Sequence, residues 1–166
     1  MEEIAAAADV APATLFNYFP TRSGVLEGLA SALFDAIANA IAAQRGGAAA
    51  LAERLAALAD TIQAVVAESH QRVPELLREL VQATALDNYR GAAMARLHLV
   101  LSAFIYDGQQ RDEIRIDVDA AFLALTARAM LLTALLSWLD DPRYPLAPRL
   151  RQTATLLCDA LRRPTS

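Results

Sequence analysis

The spacing of apolar residues along the chain is that of α-helices. Between residues 48 and 70, the apolar positions include Leu51, Leu55, Leu58, Ile62, Val65 and Val66. These positions fall on one face of a helix with about 3.6 residues per turn. The alternation of apolar and polar residues that marks a half-buried strand occurs nowhere in the sequence. The sequence therefore predicts an all-α fold.

Glycine and proline divide the chain into helical segments. Thr21 is suited to cap the third helix, and either Asp117 or Asp119 is suited to cap the seventh. Pro20 ends the second helix, because the residue before a proline disfavours the helical backbone. The predicted helices span residues 2–8, 12–19, 22–44, 48–70, 74–85, 91–110, 120–139 and 145–163.

These segments divide unevenly along the chain. We expect residues 1–44 to form a small N-terminal unit with a connecting helix, and residues 45–166 to form a larger helical bundle. The last two helices have apolar faces that one copy of the chain does not fully cover. We therefore expect them to pack against a second copy in a homodimer.

Composition restricts the partners and the compartment of the chain. All 15 basic residues are arginine, and the formal net charge is −4. No overall basic field attracts nucleic acid, so nucleic-acid binding requires a local site. The single cysteine, Cys158, excludes an intramolecular disulfide and is typical of a reducing compartment. Because the N-terminus has no basic region, we expect no signal peptide and a cytoplasmic location.

Segment 120–139 is long and apolar enough to cross a bilayer. However, Arg128 lies near its middle, and Thr126, Thr133 and Ser137 add further polar groups. A helix buried on most sides within a helical assembly explains this composition better. We therefore expect no membrane span.

The sequence contains no pattern typical of an enzyme. His70 and His98 are too far apart for a helix-borne metal pair, and Cys158 has no evident base nearby. No glycine-rich phosphate loop and no serine elbow are present. We expect no catalysis, no cofactor and no metal site.

A polar and aromatic cluster, TLFNYFPTR, stands near the N-terminus. Residues 2–8, a turn at 9–11 and residues 12–19 have the dimensions of a helix-turn-helix unit, whose second helix enters the major groove of DNA. Leu15 and Phe19 lie four residues apart and point inward. Thr14, Asn17 and Tyr18 then carry hydroxyl and amide groups that bond phosphates or base edges. A plain helix corner with exposed polar groups is the alternative explanation.

Residues 4–33, IAAAADVAPATLFNYFPTRSGVLEGLASAL, resemble the DNA-binding segment of the TetR family of tetracycline-repressor-like regulators. A looser resemblance covers residues 107–119, DGQQRDEIRIDVD. The resemblance implies that Ala13, Thr14, Asn17 and Tyr18 face DNA, with Phe16 and Arg22 near its backbone. The positions that match the family pattern are Ile4, Ala5, Ala8, Val10, Thr14, Leu15, Phe19, Pro20 and Arg22.

The sequence differs from the TetR pattern in three ways, and each difference affects what we expect of the DNA-binding unit. Asp9 stands where the family prefers glycine, but aspartate tolerates a left-handed backbone, so we expect the turn to form. Phe16 replaces a tyrosine and removes one hydroxyl. The family places a further helix before this unit, and we expect that its absence leaves Ile4, Leu15 and Phe19 uncovered and makes DNA binding of the chain as given weak or absent.

The resemblance also implies that the bundle binds a small, mostly apolar ligand. The candidate ligand-binding residues are aromatic, sulfur-containing and polar residues of the central helices: Met94, His98, Phe104, Phe122, Met130 and Trp138. For each of them, an ordinary core position is the alternative. Arg128 suits either an anionic ligand or an ion pair at an interface. Gly24 and Gly28 either soften the connecting helix as a hinge or are simply poor helix formers, and we favour the second explanation.

Together these features predict a DNA-binding transcriptional regulator, a repressor that a small ligand releases from a palindromic operator. Its partners are double-stranded DNA, the ligand and a second copy of the chain. The alternative is a helical ligand-binding or interaction protein that does not bind DNA in this truncated form.

Overall fold

A computed structural model of the chain describes residues 2–7, 9–72, 78–79, 92–141 and 143–163. In this part of the chain the backbone forms helices, and its only extended pairing is a single bridge between Ile114 and Arg162. The predicted all-α fold is confirmed. The predicted helix at 74–85 lies almost entirely outside the described residues. The helices are α1 (Glu2–Ala7), α2 (Pro12–Tyr18), α3 (Arg22–Ala43), α4 (Leu51–Arg72), α5 (Ala92–Gln110), α6 (Ala120–Asp140) and α7 (Leu146–Leu161).

Side-chain caps fix the start of two long helices. The Thr21 hydroxyl accepts a hydrogen bond from the Gly24 amide at 3.1 Å, as predicted for the start of α3. Of the two aspartates proposed to cap α6, Asp119 performs this role and accepts from the Phe122 amide at 2.9 Å. Asp117 is instead bound to Arg115 at 2.8 and 2.6 Å.

The turn between α1 and α2 depends on Asp9. Its φ of +53° lies in the left-handed region, where most L-residues are strained. The Val10 amide donates to the Ala5 carbonyl at 3.0 Å, and the Asp9 amide donates to the Ala6 carbonyl at 3.2 Å. This pair of bonds ends a helix as a glycine-type cap does. The prediction that aspartate supports this turn is confirmed.

Five helices surround one core. α3 packs against α4 and α5, α7 packs against α4, and α6 packs against α5 and α7. Each of these helices contributes fully or nearly fully buried apolar side chains, among them Ile37, Leu58, Phe104, Ala124 and Leu150. α1 and α2 pack against each other at the start of α3.

Arg54 is the buried charge of this core, and sequence reasoning did not identify it. Its side chain is 1% exposed. The guanidinium donates to the Gln44 carbonyl at the end of α3 at 3.2 Å, forms an ion pair with Glu113, and lies 5.2 Å from the centre of the Phe104 ring. Arg54 therefore ties α4 to α3, to α5 and to the segment that follows α5.

That segment, residues 111–119, is held against the end of α7. The Arg115 amide donates to the Leu161 carbonyl at 2.8 Å. Ile114 is completely buried and lies over Gly108, where a Cβ atom would come within 2.6 Å of Ile114 Cδ1. Gln109 closes the segment by donating to the carbonyls of Arg115 and Val118, both at 2.8 Å.

Two of the helices, α3 and α6, are long and apolar enough to cross a membrane. The core helices of soluble proteins have the same length and composition, so this property is weak evidence for a membrane span. Both helices contribute buried side chains to the core described above.

Candidate functional site

α2 presents a nearly continuous exposed surface around one buried residue. Leu15 is only 8% exposed and points inward, as the helical spacing predicts. The predicted DNA-contacting residues of this helix are all exposed: Ala13, Thr14, Phe16, Asn17 and Tyr18. Hydroxyl, amide and phenol groups on one short helix are therefore accessible to a large partner.

The apolar residues behind this surface are better covered than expected. We expected Ile4, Leu15 and Phe19 to form an uncovered patch, and for Leu15 this is wrong, because α1 and α2 pack on each other and bury it. Ile4 and Phe19 are each partly buried. The unit thus has a small core of its own.

Phe19 connects α2 to α3 by packing on Gly28. A Cβ atom at position 28 would lie 2.8 Å from Phe19 Cε1 and 3.1 Å from Cζ, distances that a methyl group cannot occupy without moving the ring. At Gly24 the nearest atom, Thr21 Oγ1, would be 3.5 Å away, which is ordinary contact. We favoured the explanation that both glycines are simply poor helix formers. For Gly28 this is incomplete, because its missing side chain makes space for Phe19.

Arg22 is the first basic residue of the chain, at the N-terminus of α3. α1 and α2 contain no arginine. The Arg22 guanidinium donates from Nη2 at 2.9 Å and from Nε at 3.2 Å to one oxygen, Oε2 of Glu79. Arg22, which is predicted to lie near the DNA backbone, is therefore paired with the carboxylate of Glu79, a residue that follows α4 in the sequence.

A cavity of about 100 Å³ lies within the bundle. It has thirteen apolar lining residues and one charged residue, Arg128. All five bundle helices contribute to its wall. The apolar residues are Phe34, Ile37, Ile41, Leu55, Leu58, Ala59, Ile62, Leu97, Leu101, Leu131, Leu132, Leu135 and Ala154.

None of the predicted ligand-binding residues whose side chains the structure describes is among the lining residues of this cavity. Phe104 is buried beneath the Arg54 guanidinium, Phe122 is exposed on the first turn of α6, and His98 and Met130 are partly buried elsewhere. Trp138 packs against His70, with ring centres 4.6 Å apart. The side chain of Met94 lies outside the described part of the structure. The set therefore stays a prediction. The cavity itself is lined mostly by aliphatic residues, and these meet only because tertiary packing brings their helices together.

Ion pairs connect the helices around the cavity. Arg45 at the end of α3 donates to Asp107 on α5 at 2.7 Å, and this hydrogen bond holds the pKa of Asp107 below its usual value. Arg151 on α7 donates to Asp60 on α4 at 2.8 Å. Among the described residues, no group of three or more His, Cys, Asp and Glu side chains is placed to hold a metal ion.

Large apolar side chains are exposed on the outer faces of the last two helices. Phe122 and Leu125 on α6 and Leu156 on α7 are all exposed. α6 and α7 pack against each other, so these residues belong to neighbouring elements. Exposed apolar groups on adjacent helices are typical of a surface that meets a partner.

Comparisons with known proteins establish the fold but no family. No family model matches the chain, and no curated protein matches it. Its fold is similar to that of a solved structure from Rhodococcus sp. RHA1, which is described as a protein with unknown function. The TM-score is 0.61 at 20% sequence identity, over 96% of this chain and 83% of that one. At this level of identity, the two proteins share an all-α architecture.

Proposed function

We propose that this chain is a TetR-like transcriptional regulator that binds a palindromic DNA operator as a homodimer, with weak affinity in the chain as given, and is released by a small ligand. The observation that carries the proposal is the surface of α2, where Thr14, Asn17 and Tyr18 are exposed around a single buried Leu15. The sequence resemblance of residues 4–33 to the TetR DNA-binding segment supports it. In this proposal the protein is cytoplasmic and acts by binding, not by catalysis.

The exposed groups have the chemistry that DNA recognition requires. Asn17 can form a bidentate pair with adenine in the major groove, and the Thr14 and Tyr18 hydroxyls can bond phosphates or base edges. Ala13 and Thr14 lie in the first turn of α2, the part of a recognition helix that reaches base edges. Phe16 and Arg22 flank this surface, and Arg22 supplies the positive charge for a phosphate.

The cavity supports the ligand part of the proposal. Its apolar wall suits a small apolar molecule, since binding cavities are mostly apolar with few polar groups. α3 contributes Phe34, Ile37 and Ile41 to the wall and contacts Phe19 at its other end. A ligand that changes the position of α3 would therefore also move α2. It would favour the state of the dimer that does not fit the operator over the state that binds it.

The exposed apolar faces of α6 and α7 support the homodimer. A second copy of the same chain presents the same surface, and a two-fold axis brings the two surfaces together. In such a dimer two copies of α2 would read two half-sites separated by about one helical turn of DNA or a multiple of it.

Selection from a pool of random duplexes tests the proposal. We expect enrichment of an inverted repeat, which fluorescence anisotropy then compares with a scrambled duplex. Asn17→Ala should reduce the preference for the enriched duplex about tenfold, because one bidentate base contact is worth about 1–3 kcal/mol. Gln71→Ala, which removes an exposed amide from α4, is the matched control and should leave the preference unchanged. The absence of any enriched sequence would contradict the proposal.

A helical ligand-binding or interaction protein without a DNA role is the second candidate. The net charge of −4 and the lack of arginine in α1 and α2 favour it, because DNA affinity depends on phosphate neutralisation. Calorimetry with a small apolar probe such as benzene separates the two functions when it is combined with the duplex selection. Probe binding without duplex enrichment would support this second candidate.

A further inference from the structure

Glu79 forms an ion pair with the guanidinium of Arg22, the group that the proposed regulator would use to bind a DNA phosphate. We infer that Glu79 is an intramolecular competitor of DNA phosphate for Arg22, so that the Arg22–Glu79 pair marks the state of low DNA affinity. This inference rests on the proposed DNA-binding function and adds a means of regulating it. It follows from the contact between Arg22 and Glu79 and from the ion pair that the adjacent Arg78 forms.

The geometry of the pair resembles that of a phosphate contact. Arg22 directs both Nε and Nη2 at a single carboxylate oxygen, at 3.2 and 2.9 Å. Arginine binds phosphate oxygens through the same donors. The guanidinium cannot direct these two donors at a carboxylate and at a DNA phosphate at the same time, so DNA must displace Glu79 or bind without this cation.

The pair is also accessible enough to be exchanged. The side chains of Arg22 and Glu79 are 51% and 45% exposed. Exposed ion pairs contribute little to stability and are weakened by salt. A polyanion with closely spaced charges can therefore replace the carboxylate.

The neighbour of Glu79 connects the pair to the bundle. Arg78 lies 3.6 Å from Asp140 at the end of α6, so two adjacent residues form ion pairs with the start of α3 and the end of α6. α6 also contributes Arg128, Leu131, Leu132 and Leu135 to the cavity wall. A change in the position of α6 relative to α3 would thus alter the contact between Glu79 and Arg22.

The test is a double-mutant cycle on DNA affinity in the full chain. Glu79→Gln, Arg22→Gln and the double variant are compared with the unmodified chain by fluorescence anisotropy. The probes are a fluorescein-labelled duplex that carries the enriched inverted repeat and a duplex of scrambled sequence. Titrations run from about 50 to about 300 mM NaCl, because salt separates phosphate contacts from base contacts. Glu27→Gln, which removes an exposed carboxylate from α3, controls for the loss of one negative charge.

The expected result has three parts. Glu79→Gln raises affinity about two- to fivefold at the lowest salt, the range expected for an exposed ion pair. The gain is equal for both duplexes, because phosphate contacts carry no sequence information, and it shrinks as salt rises. In the Arg22→Gln background, Glu79→Gln has no effect.

Other outcomes overturn the inference in distinguishable ways. If the unmodified chain binds the enriched duplex and Glu79→Gln binds equally well, the competition is wrong while the proposed function stands. If Glu79→Gln gains affinity to the same extent with and without Arg22, or if Glu27→Gln gains as much, the gain comes from reduced charge repulsion with DNA. The inference of competition for Arg22 is then wrong. If neither duplex binds to any variant, the proposed function fails and this inference fails with it.

Discussion

The ring of Phe19 packs against α3 where Gly28 leaves an opening for it, and a Cβ atom there would lie 2.8 Å from Phe19 Cε1. This contact attaches the end of α2 to the helix that continues into the bundle. Because the ring edge is the mobile end of a side chain, the contact can be displaced without unfolding the rest of the protein.

Gly28→Ala should therefore reduce DNA affinity more than it reduces stability. The methyl group displaces the Phe19 ring, while the gain of up to about 1 kcal/mol in helix propensity offsets the cost to the fold. Gly24→Ala is the matched control, because its methyl group makes only ordinary contacts. We expect it to be neutral or stabilising with unchanged DNA binding, as measured by urea unfolding and anisotropy. Equal effects of the two substitutions would contradict the role given to Gly28.

Gly108→Ala should destabilise the bundle by about 1–3 kcal/mol, the usual cost of overpacking. The new methyl group would meet Ile114, which is fully buried and cannot move aside as Phe19 can. Ile114→Val removes Cδ1, the atom of the closest contact. In a double-mutant cycle measured by urea unfolding, the two substitutions together should cost less than their sum. Additive costs would show that the steric contact between Gly108 and Ile114 is unimportant.

Removing Glu113 should cost more stability than replacing Arg54 by an apolar residue. Glu113→Ala leaves a guanidinium that is 1% exposed without its counter-charge, and broken buried pairs cost about 3–5 kcal/mol. Arg54→Met removes the buried charge and leaves Glu113, which is 30% exposed, to reach water. Urea unfolding of the two variants provides the comparison. The opposite order of stabilities would show that the other Arg54 contacts, to Gln44 and Phe104, dominate.

Stability should fall on acidification as Asp107 and Asp117 are protonated. Arginine partners hold the pKa of both carboxylates below the usual value, through Arg45 for Asp107 and Arg115 for Asp117. A lowered pKa means that the stabilisation is complete above the unfolded pKa of about 3.9 and is lost as pH falls through the folded pKa. Asp107→Asn should flatten this acidic limb of the unfolding free energy measured between pH 6 and about pH 2. An unchanged acidic limb would contradict the assignment.

Leu156→Glu should convert the proposed homodimer into monomers. Leu156 on α7 is 59% exposed within one copy, and a carboxylate there would be buried against the second copy at high cost. Leu99→Glu is the matched control, since Leu99 is 68% exposed and lies on α5, which packs against α3 and α6. Analytical ultracentrifugation should show dimers of the unmodified chain and of Leu99→Glu, and monomers of Leu156→Glu. A monomeric unmodified chain would reject the homodimer itself.

Helix positions could be predicted from the sequence because their signals are local. Thr21 and Asp119 cap the helices that they precede, and Asp9 adopts the left-handed backbone that its position demands. These features depend on residues within one turn of each other. The same holds for the inward direction of Leu15, which follows from helical spacing, whereas its burial depends on the packing of α1 against α2.

The contacts that organise the site could not be predicted in this way. Arg22 and Glu79 are 57 residues apart in sequence, and nothing local to either identifies its partner. Likewise, the cavity lies where mostly aliphatic residues of five helices meet, whereas Trp138 packs against His70. For Arg54 a local signal did exist, because it stands within the apolar face formed by Leu51 and Leu58. A charge on such a face indicates a buried partner.

The length of α3 amplifies small rotations. This helix has 22 residues and measures about 33 Å along its axis, from the contacts near α2 to the bonds of Arg54 and Arg45 at its far end. A tilt of about 5° around the far end would displace the Arg22 end by about 3 Å, roughly the length of one hydrogen bond. The displacement grows with distance from the far end, so a tilt that moves the bundle end of α3 little is large enough to make or break the contacts of Arg22.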